Sequence, residues 1–148
     1  MNIQTKYHGE LVVQQEDIVT FPNGIPAFED ETKFVNLPLQ NGTPFSILQS
    51  VQTPTLAFVI GEVFTLFPDY EIELTQNAID VLKIDEPKDA IVYCIITVKD
   101  PFVNSTANLQ GPIVINTSNK IGKQVVLNQP NYKTKHELVG SPAFAQEG

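Results

Sequence analysis

The sequence predicts a mainly β protein, a small antiparallel barrel or sandwich carrying one or two short helices. Three observations lead there. Roughly eight to ten short runs rich in Val, Ile, Thr, Phe and Tyr are separated by turn residues, the spacing of a compact all-β architecture. The 11 prolines sit at or beside turns, where a missing N–H costs no ladder bond. Only one stretch, around Thr75, has helical periodicity. At 148 residues the chain fits a single domain able to bury roughly 70% of its unfolded surface. That domain is assigned to residues 1–139, and residues 140–148, rich in small side chains, are expected to form a flexible tail.

Taken in order, residues 2–6 and 16–21 read as short strands around a turn at His8-Gly9-Glu10, the second carrying the β-branched side chains that suit a pleated surface. Phe21-Pro22-Asn23-Gly24-Ile25-Pro26-Ala27-Phe28 is a breaker cluster among apolar residues. It predicts an ordered loop anchored by its terminal phenylalanines, followed by a helical turn at 29–33. Residues 33–39 and 45–51 are strands joined through Asn41-Gly42, a strong hairpin signal. Residues 56–60 form a strand apolar at every position, expected to be covered on both faces. Glu71-Ile72-Glu73-Leu74 alternates acid with aliphatic and so has one wet and one buried face. Thr75 is the N-cap of a helix of about two turns, with Leu74, Ala78, Val81 and Leu82 at helical offsets. Residues 90–98, the most hydrophobic segment, form the central strand. Gly111-Pro112 then precedes Ile113-Val114-Ile115, and after a polar turn Lys123-Gln124-Val125-Val126-Leu127 resumes apolar character. Residues 108–127 thus finish the sheet as a hairpin or closing corner.

Charge restricts the partners. The net charge is −8, and all 9 basic residues are lysine. Arginine supplies the bidentate fork for phosphates and guanine edges, so its absence argues against nucleic-acid recognition. Acids concentrate at Glu62, Asp69, Glu71, Glu73, Asp80, Asp85, Glu86 and Asp89, opposed only by Lys83 and Lys88. Such a patch either keeps a small domain soluble or forms a docking surface for a basic protein. No apolar run approaches the ~20 residues of a membrane helix. A lone cysteine, Cys94, and an N-terminus without an apolar leader point to a reducing, cytoplasmic setting.

Catalytic constellations are thin. Cys94 with His8 or His136 as base would be a nucleophile pair, yet Cys94 sits in an apolar run where a free cysteine behaves as a small hydrophobe. The two histidines lack metal-ligand spacing, and no loop resembles a phosphate cradle, so no metal or cofactor is expected. Asp85-Glu86 would be an acid/base pair in a small β-barrel hydrolase or isomerase, the alternative function. Adjacent acids after a helix more simply form a solvated end. The stronger candidate is a protein-binding site of Phe64, Phe67, Asp69, Tyr70, Glu71, Glu73, Asp85 and Glu86, in which aromatics form an apolar centre within a charged rim. Packing of all three aromatics in the core is the competing reading. Tyr70, at the end of the run, is the aromatic expected to be exposed.

Five segments in succession carry a resemblance: residues 21–28, Phe45-Ser46-Ile47-Leu48-Gln49-Ser50, Phe67-Pro68-Asp69-Tyr70, Asn108-Leu109-Gln110-Gly111-Pro112-Ile113-Val114-Ile115-Asn116 and Gly122-Lys123-Gln124-Val125-Val126-Leu127. In order and spacing they resemble the FliW family of bacterial flagellar assembly factors over about residues 3–138. Ala27 departs from the family, standing where a second glycine is frequent, as does Lys120, where arginine is common. The resemblance implies a small β-barrel-like fold, no catalysis, and two protein partners: cytoplasmic flagellin and the RNA-binding translational regulator CsrA. Free of flagellin, such a protein would bind CsrA away from its RNA surface, antagonise it allosterically and relieve repression of flagellin mRNA. The acidic stretch would then face CsrA, and flagellin would present a helix to a groove.

Overall fold

The computed structural model describes residues 1–39, 43–127 and 132–138. The expected turn at Asn41-Gly42 and the tail 140–148 lie outside them. The strands are β1 (Asn2–Gln4), β2 (Glu10–Val12), β3 (Ile18–Thr20), β4 (Lys33–Pro38), β5 (Phe45–Ser50), β6 (Ala57–Glu62), β7 (Ala90–Thr97), β8 (Thr106–Ala107), β9 (Ile113–Asn116), β10 (Ile121–Gln124) and β11 (His136–Glu137), with helices α1 (Val63–Leu66) and α2 (Gln76–Leu82). Pairing runs β7-β6-β5-β4-β3-β10-β9, and β9 pairs back onto β7. Seven strands therefore close a barrel, which removes the edges an open sheet would expose. All pairs are antiparallel except β3 with β10, joined at Ile121 and Thr20. The Thr20 N–H donates to the Lys120 carbonyl at 2.9 Å there.

Cross-strand partners share a face, so the register identifies the interior. Val19 faces Phe34, Leu48 faces Phe58, Ile60 faces Ile95 and Tyr93 faces Ile113. With Phe21, Ile25 and Ile115 these residues form one cluster, buried except for Phe58 and Ile95, which are half-buried against it. The Phe21 ring packs edge-on against Phe34 at 5.3 Å and occupies the space a side chain at Gly122 would need, since a Cβ there would lie 2.6 Å from the ring. Glycine is required at 122 for this close approach.

Two layers cover the outside. On β7 and β9, Val92, Cys94, Ile96 and Val114 pack under Val63, Leu66, Ala78 and Leu82 of the helices and under Leu109, Leu127 and Leu138. On β4, Val35 and Leu37 lie under the β1–β2 hairpin through Ile3, Leu11 and Val13. Buried Gln49 ties that hairpin down: its Oε1 accepts from the Lys6 N–H at 3.0 Å, while its Nε2 donates to the carbonyls of Ser50, Pro54 and Leu56.

Several expectations change. Residues 16–21 are not the partner of the first strand: β1 pairs with β2, and β3 joins the barrel after a 3-10 turn at Gln15–Asp17. A three-residue strand has no measurable periodicity, so its pairing is decided by the β4 surface it covers. No helical turn forms at 29–33; the chain turns there and enters β4 at Lys33. Phe21 anchors the preceding loop from the core, whereas Phe28 is 41% exposed and touches Phe58 edge-on at 5.7 Å. Strand β6 is covered fully only towards its end, at Ile60 and Gly61. The helix at 76–82 forms as expected, with the Thr75 hydroxyl accepting from the Ala78 N–H at 3.2 Å. Strand β7 is central, pairing with β6, β8 and β9. No helix among the described residues is long and apolar enough to cross a membrane.

Ala27 adopts φ 74°, a left-handed backbone that costs a non-glycine residue ~1–2 kcal/mol. Glycine would relieve this while losing ~0.5–1 kcal/mol of unfolded-chain entropy. Ala27→Gly should therefore stabilise the protein by up to ~1 kcal/mol, read as a higher urea midpoint at unchanged slope. A lower midpoint would contradict this account.

Candidate functional site

A groove of about 690 Å³ runs along the outside of β7. Its apolar lining comes from Phe64, Ile72, Leu74, Ile79, Ile84, Ala90 and Val92, and its acids are Glu73, Asp85 and Glu86. Each side chain is placed by a local rule. Helix α1 buries Val63 and Leu66, which turns the intervening Phe64 outwards, 48% exposed. The 71–74 segment belongs to no strand, yet its alternation survives: Ile72 and Leu74 are half-buried while Glu71 and Glu73 are exposed.

Helix α2 ends because Lys83 takes a left-handed conformation, φ 55°. That reversal lets the Ile84 N–H donate to the Ile79 carbonyl at 3.1 Å, a helix-terminating bond that also draws the two isoleucines together on one wall. Asn116 completes the end, its Nδ2 donating to the Leu82 and Lys83 carbonyls at 2.9 and 3.2 Å. Asp85 and Glu86 follow at the rim. The Glu86 N–H donates to Asp89 Oδ2 at 3.0 Å, which shapes the loop. The Lys88–Glu86 ion pair, 3.2 Å, is exposed on both sides and contributes little.

The groove brings together Phe64, Glu73, Asp85 and Glu86 of the eight predicted residues. The other four lie elsewhere. Asp69 is exposed in a turn, and Glu71 is exposed with its N–H donating to the Tyr132 hydroxyl at 2.7 Å. Phe67 is half-buried, edge-on to His136 at 6.4 Å. Tyr70 corrects its prediction: it is 5% exposed, its hydroxyl donates to the Leu109 carbonyl at 2.7 Å, and the Tyr132 ring covers it at 4.5 Å. Burial raises its phenol pKa. Sequence reasoning missed Ile72, Leu74, Ile79, Ile84, Ala90 and Val92 as lining. The acid–aliphatic alternation at 71–74 was the signal that could have found the first two.

The quoted motif residues near 108–124 serve the fold. Asn108 Oδ1 accepts from the Gln110 and Gly111 N–H groups at 3.1 and 2.9 Å, and Gln124 Nε2 donates to the Gly111 carbonyl at 2.9 Å. They fix the corner that delivers β9 to β7.

Cys94 is 0% exposed, and its thiol donates to the Gly61 carbonyl at 3.7 Å. Burial pushes it up to about 12, so it is neither reachable nor a thiolate at neutral pH. Among the described residues no cluster of His, Cys, Asp and Glu is arranged to hold a metal. The Cys94 shift has a stability consequence. Its folded pKa is raised above the ordinary value of 9.0, so the stabilisation is complete below pH ~9 and is lost as pH rises towards ~12, where the unfolded chain releases a proton the folded one retains. Unfolding free energy should fall across that window with a slope approaching ~1.4 kcal/mol per pH unit from this thiol alone. Tyr70 and Tyr93, both raised by burial, add to the loss. Urea titrations at successive alkaline pH values check it, and Cys94→Ala should flatten the slope.

The family model described as FliW protein matches residues 2–138. The chain is 55% identical over 138 residues to the flagellar assembly factor FliW of Geobacillus kaustophilus, covering 93% of this chain and 95% of that protein. It is 44% identical over 140 residues to the protein of the same description from Bacillus subtilis, covering 95% and 98%. A crystal structure described as that of the flagellar assembly factor FliW superposes with a TM-score of 0.88 at 53% identity, covering 93% of this chain and 96% of the other.

Proposed function

The chain belongs to the FliW family of flagellar assembly factors, and from that premise we propose that it is a cytoplasmic protein-binding module whose outer groove receives a protein partner. The partners proposed are flagellin and CsrA, bound in competition. Free of flagellin, the protein engages CsrA, antagonises it allosterically and relieves repression of flagellin mRNA. The observation that carries this reading is the coincidence of an apolar groove floor with three acidic residues on its margin. An apolar trough suits an amphipathic helix, whose i, i+3, i+4 and i+7 side chains fill successive positions. Glu73, Asp85 and Glu86 favour a partner with basic residues flanking its apolar stripe, and the net charge of −8 would speed its encounter.

Calorimetric titration with purified CsrA, alone and with saturating flagellin, tests the proposal. Binding that is abolished by flagellin is expected. Absence of CsrA binding in both titrations would overturn the CsrA assignment, and undiminished binding beside flagellin would overturn the competition.

A further inference from the structure

Taking the β7 groove as the partner site, as proposed above, we infer that Tyr132 is its positioning residue: the hydroxyl of this tyrosine fixes the 71–74 wall and so pre-forms the trough that a partner enters. The two walls are held unequally. The end of α2 is tied to itself by the Ile84–Ile79 bond and to β9 through both Asn116 donations. The 71–74 wall belongs to no strand. Among the described residues its backbone makes one hydrogen bond, from the Glu71 N–H to the Tyr132 hydroxyl at 2.7 Å. Ile72, one residue further on, and Leu74 carry the apolar lining of this wall. Beyond Leu74 the chain enters the Thr75 cap of α2, so one end of the wall is fixed by the helix and the other by a tie made 61 residues away in the chain.

Tyr132 is itself held from the barrel. The carbonyl of the next residue, Lys133, accepts from the Leu109 and Gln110 N–H groups at 3.0 and 3.2 Å, and the Tyr132 ring lies against buried Tyr70 at 4.5 Å. Tyr70 in turn donates to the Leu109 carbonyl. The corner at 108–111 thus sets the place of Tyr132, and the Tyr132 hydroxyl sets the start of the groove wall. Tyrosine meets both requirements: its ring supplies the packing, and its oxygen accepts the Glu71 N–H. Phenylalanine would keep the first and lose the second. An untied wall would have to be ordered by the partner, and ordering at an interface subtracts from affinity. Only the Glu71 N–H takes part, so the Glu71 side chain can change without breaking the tie.

Tyr132→Phe in the full chain is the test, read by amide hydrogen exchange and by titration with CsrA or, should the parent chain not bind it, with flagellin. The Glu71 amide should exchange at least about fivefold faster. The urea midpoint should stay close to that of the parent, because the ring packing is kept. Partner binding should weaken by about fivefold, the worth of one hydrogen bond. In an Ile72→Ala background, where the wall presents less to the partner, the same substitution should weaken binding by about twofold or less. A hydroxyl that touched the partner directly would keep its full effect in that background, and one that served the fold alone would lower the urea midpoint at parental affinity. Either result overturns the proposal, as does unaltered exchange at Glu71. A parent chain that binds neither CsrA nor flagellin removes the groove reading and this proposal with it, an outcome told apart from the others because it precedes any substitution.

Discussion

Glu73→Lys combined with Asp85→Lys is expected to weaken binding of the proposed partner CsrA by at least about tenfold, ~1.4 kcal/mol. Both residues are exposed on the margin of the groove, where charge acts on encounter more than on the formed complex. The loss should therefore fall mainly on the association rate and shrink as ionic strength rises. Phe64→Ala should act in the other parameter. Its half-exposed ring is the anchor a partner would desolvate, and removing it should raise the dissociation rate, again by about tenfold. Glu73 and Asp85 are exposed surface sites, so their lysine variants should stay within ~0.5 kcal/mol of the parent in stability, whereas Phe64→Ala also loses the contact of its ring with Tyr70 at 6.0 Å and should cost about 1 kcal/mol. Stopped-flow binding at two salt concentrations, beside urea unfolding, separates these effects. Unchanged rates in folded variants would remove the β7 groove from partner binding. Glu71→Lys, outside the groove, is the control that should bind normally.

The largest stability effect is expected inside the barrel. Phe21→Ala removes a fully buried ring packed edge-on against Phe34 and should cost ~3–5 kcal/mol. Gly122→Ala places a methyl 2.6 Å from the same ring and should cost ~1–3 kcal/mol by overpacking. The two changes are complementary: the cavity left by one is the space the other fills. The double variant should accordingly be less destabilised than the sum of the singles, with coupling of ~1 kcal/mol or more. A double-mutant cycle by urea unfolding measures it, and strict additivity would show that Phe21 does not rest on Gly122.

How much of this was legible depended on the range of each interaction. Strands β4, β5, β7 and β9 were readable because β-branched runs and turn residues are local signals, whereas β10 spans Ile121–Gln124 and so begins inside the stretch read as a polar turn, its start set by its partners on β3 and β9. The cap at Thr75 was readable because its partner, the Ala78 N–H, is three residues away. Strand β2 was not, since three residues carry no periodicity and Leu11 and Val13 are ordered by packing against β4. Tyr70 was misjudged for a related reason. A tyrosine after Pro68-Asp69 looks like a turn residue at the surface, yet the carbonyl of Leu109 and the ring of Tyr132 bury it from segments far along the chain. The acidic stretch was visible as composition, but which acids share a groove was not.

The amino-acid sequence by itself determined the β class, the single well-capped helix, the central strand, the acidic character of the chain, and the order of motifs that the family shares. Those properties reside in side-chain alternation, local hydrogen bonds and charge, all of which are written within a few residues. Only the tertiary structure decided that seven strands close into a ring through the β7–β9 pairing, that the ring is sealed by a single parallel pairing at Thr20, and that Phe64, Glu73, Asp85 and Glu86 meet while Tyr70 does not join them. Closure and burial are set by which remote surfaces exclude water together, and that choice is made by the whole chain at once.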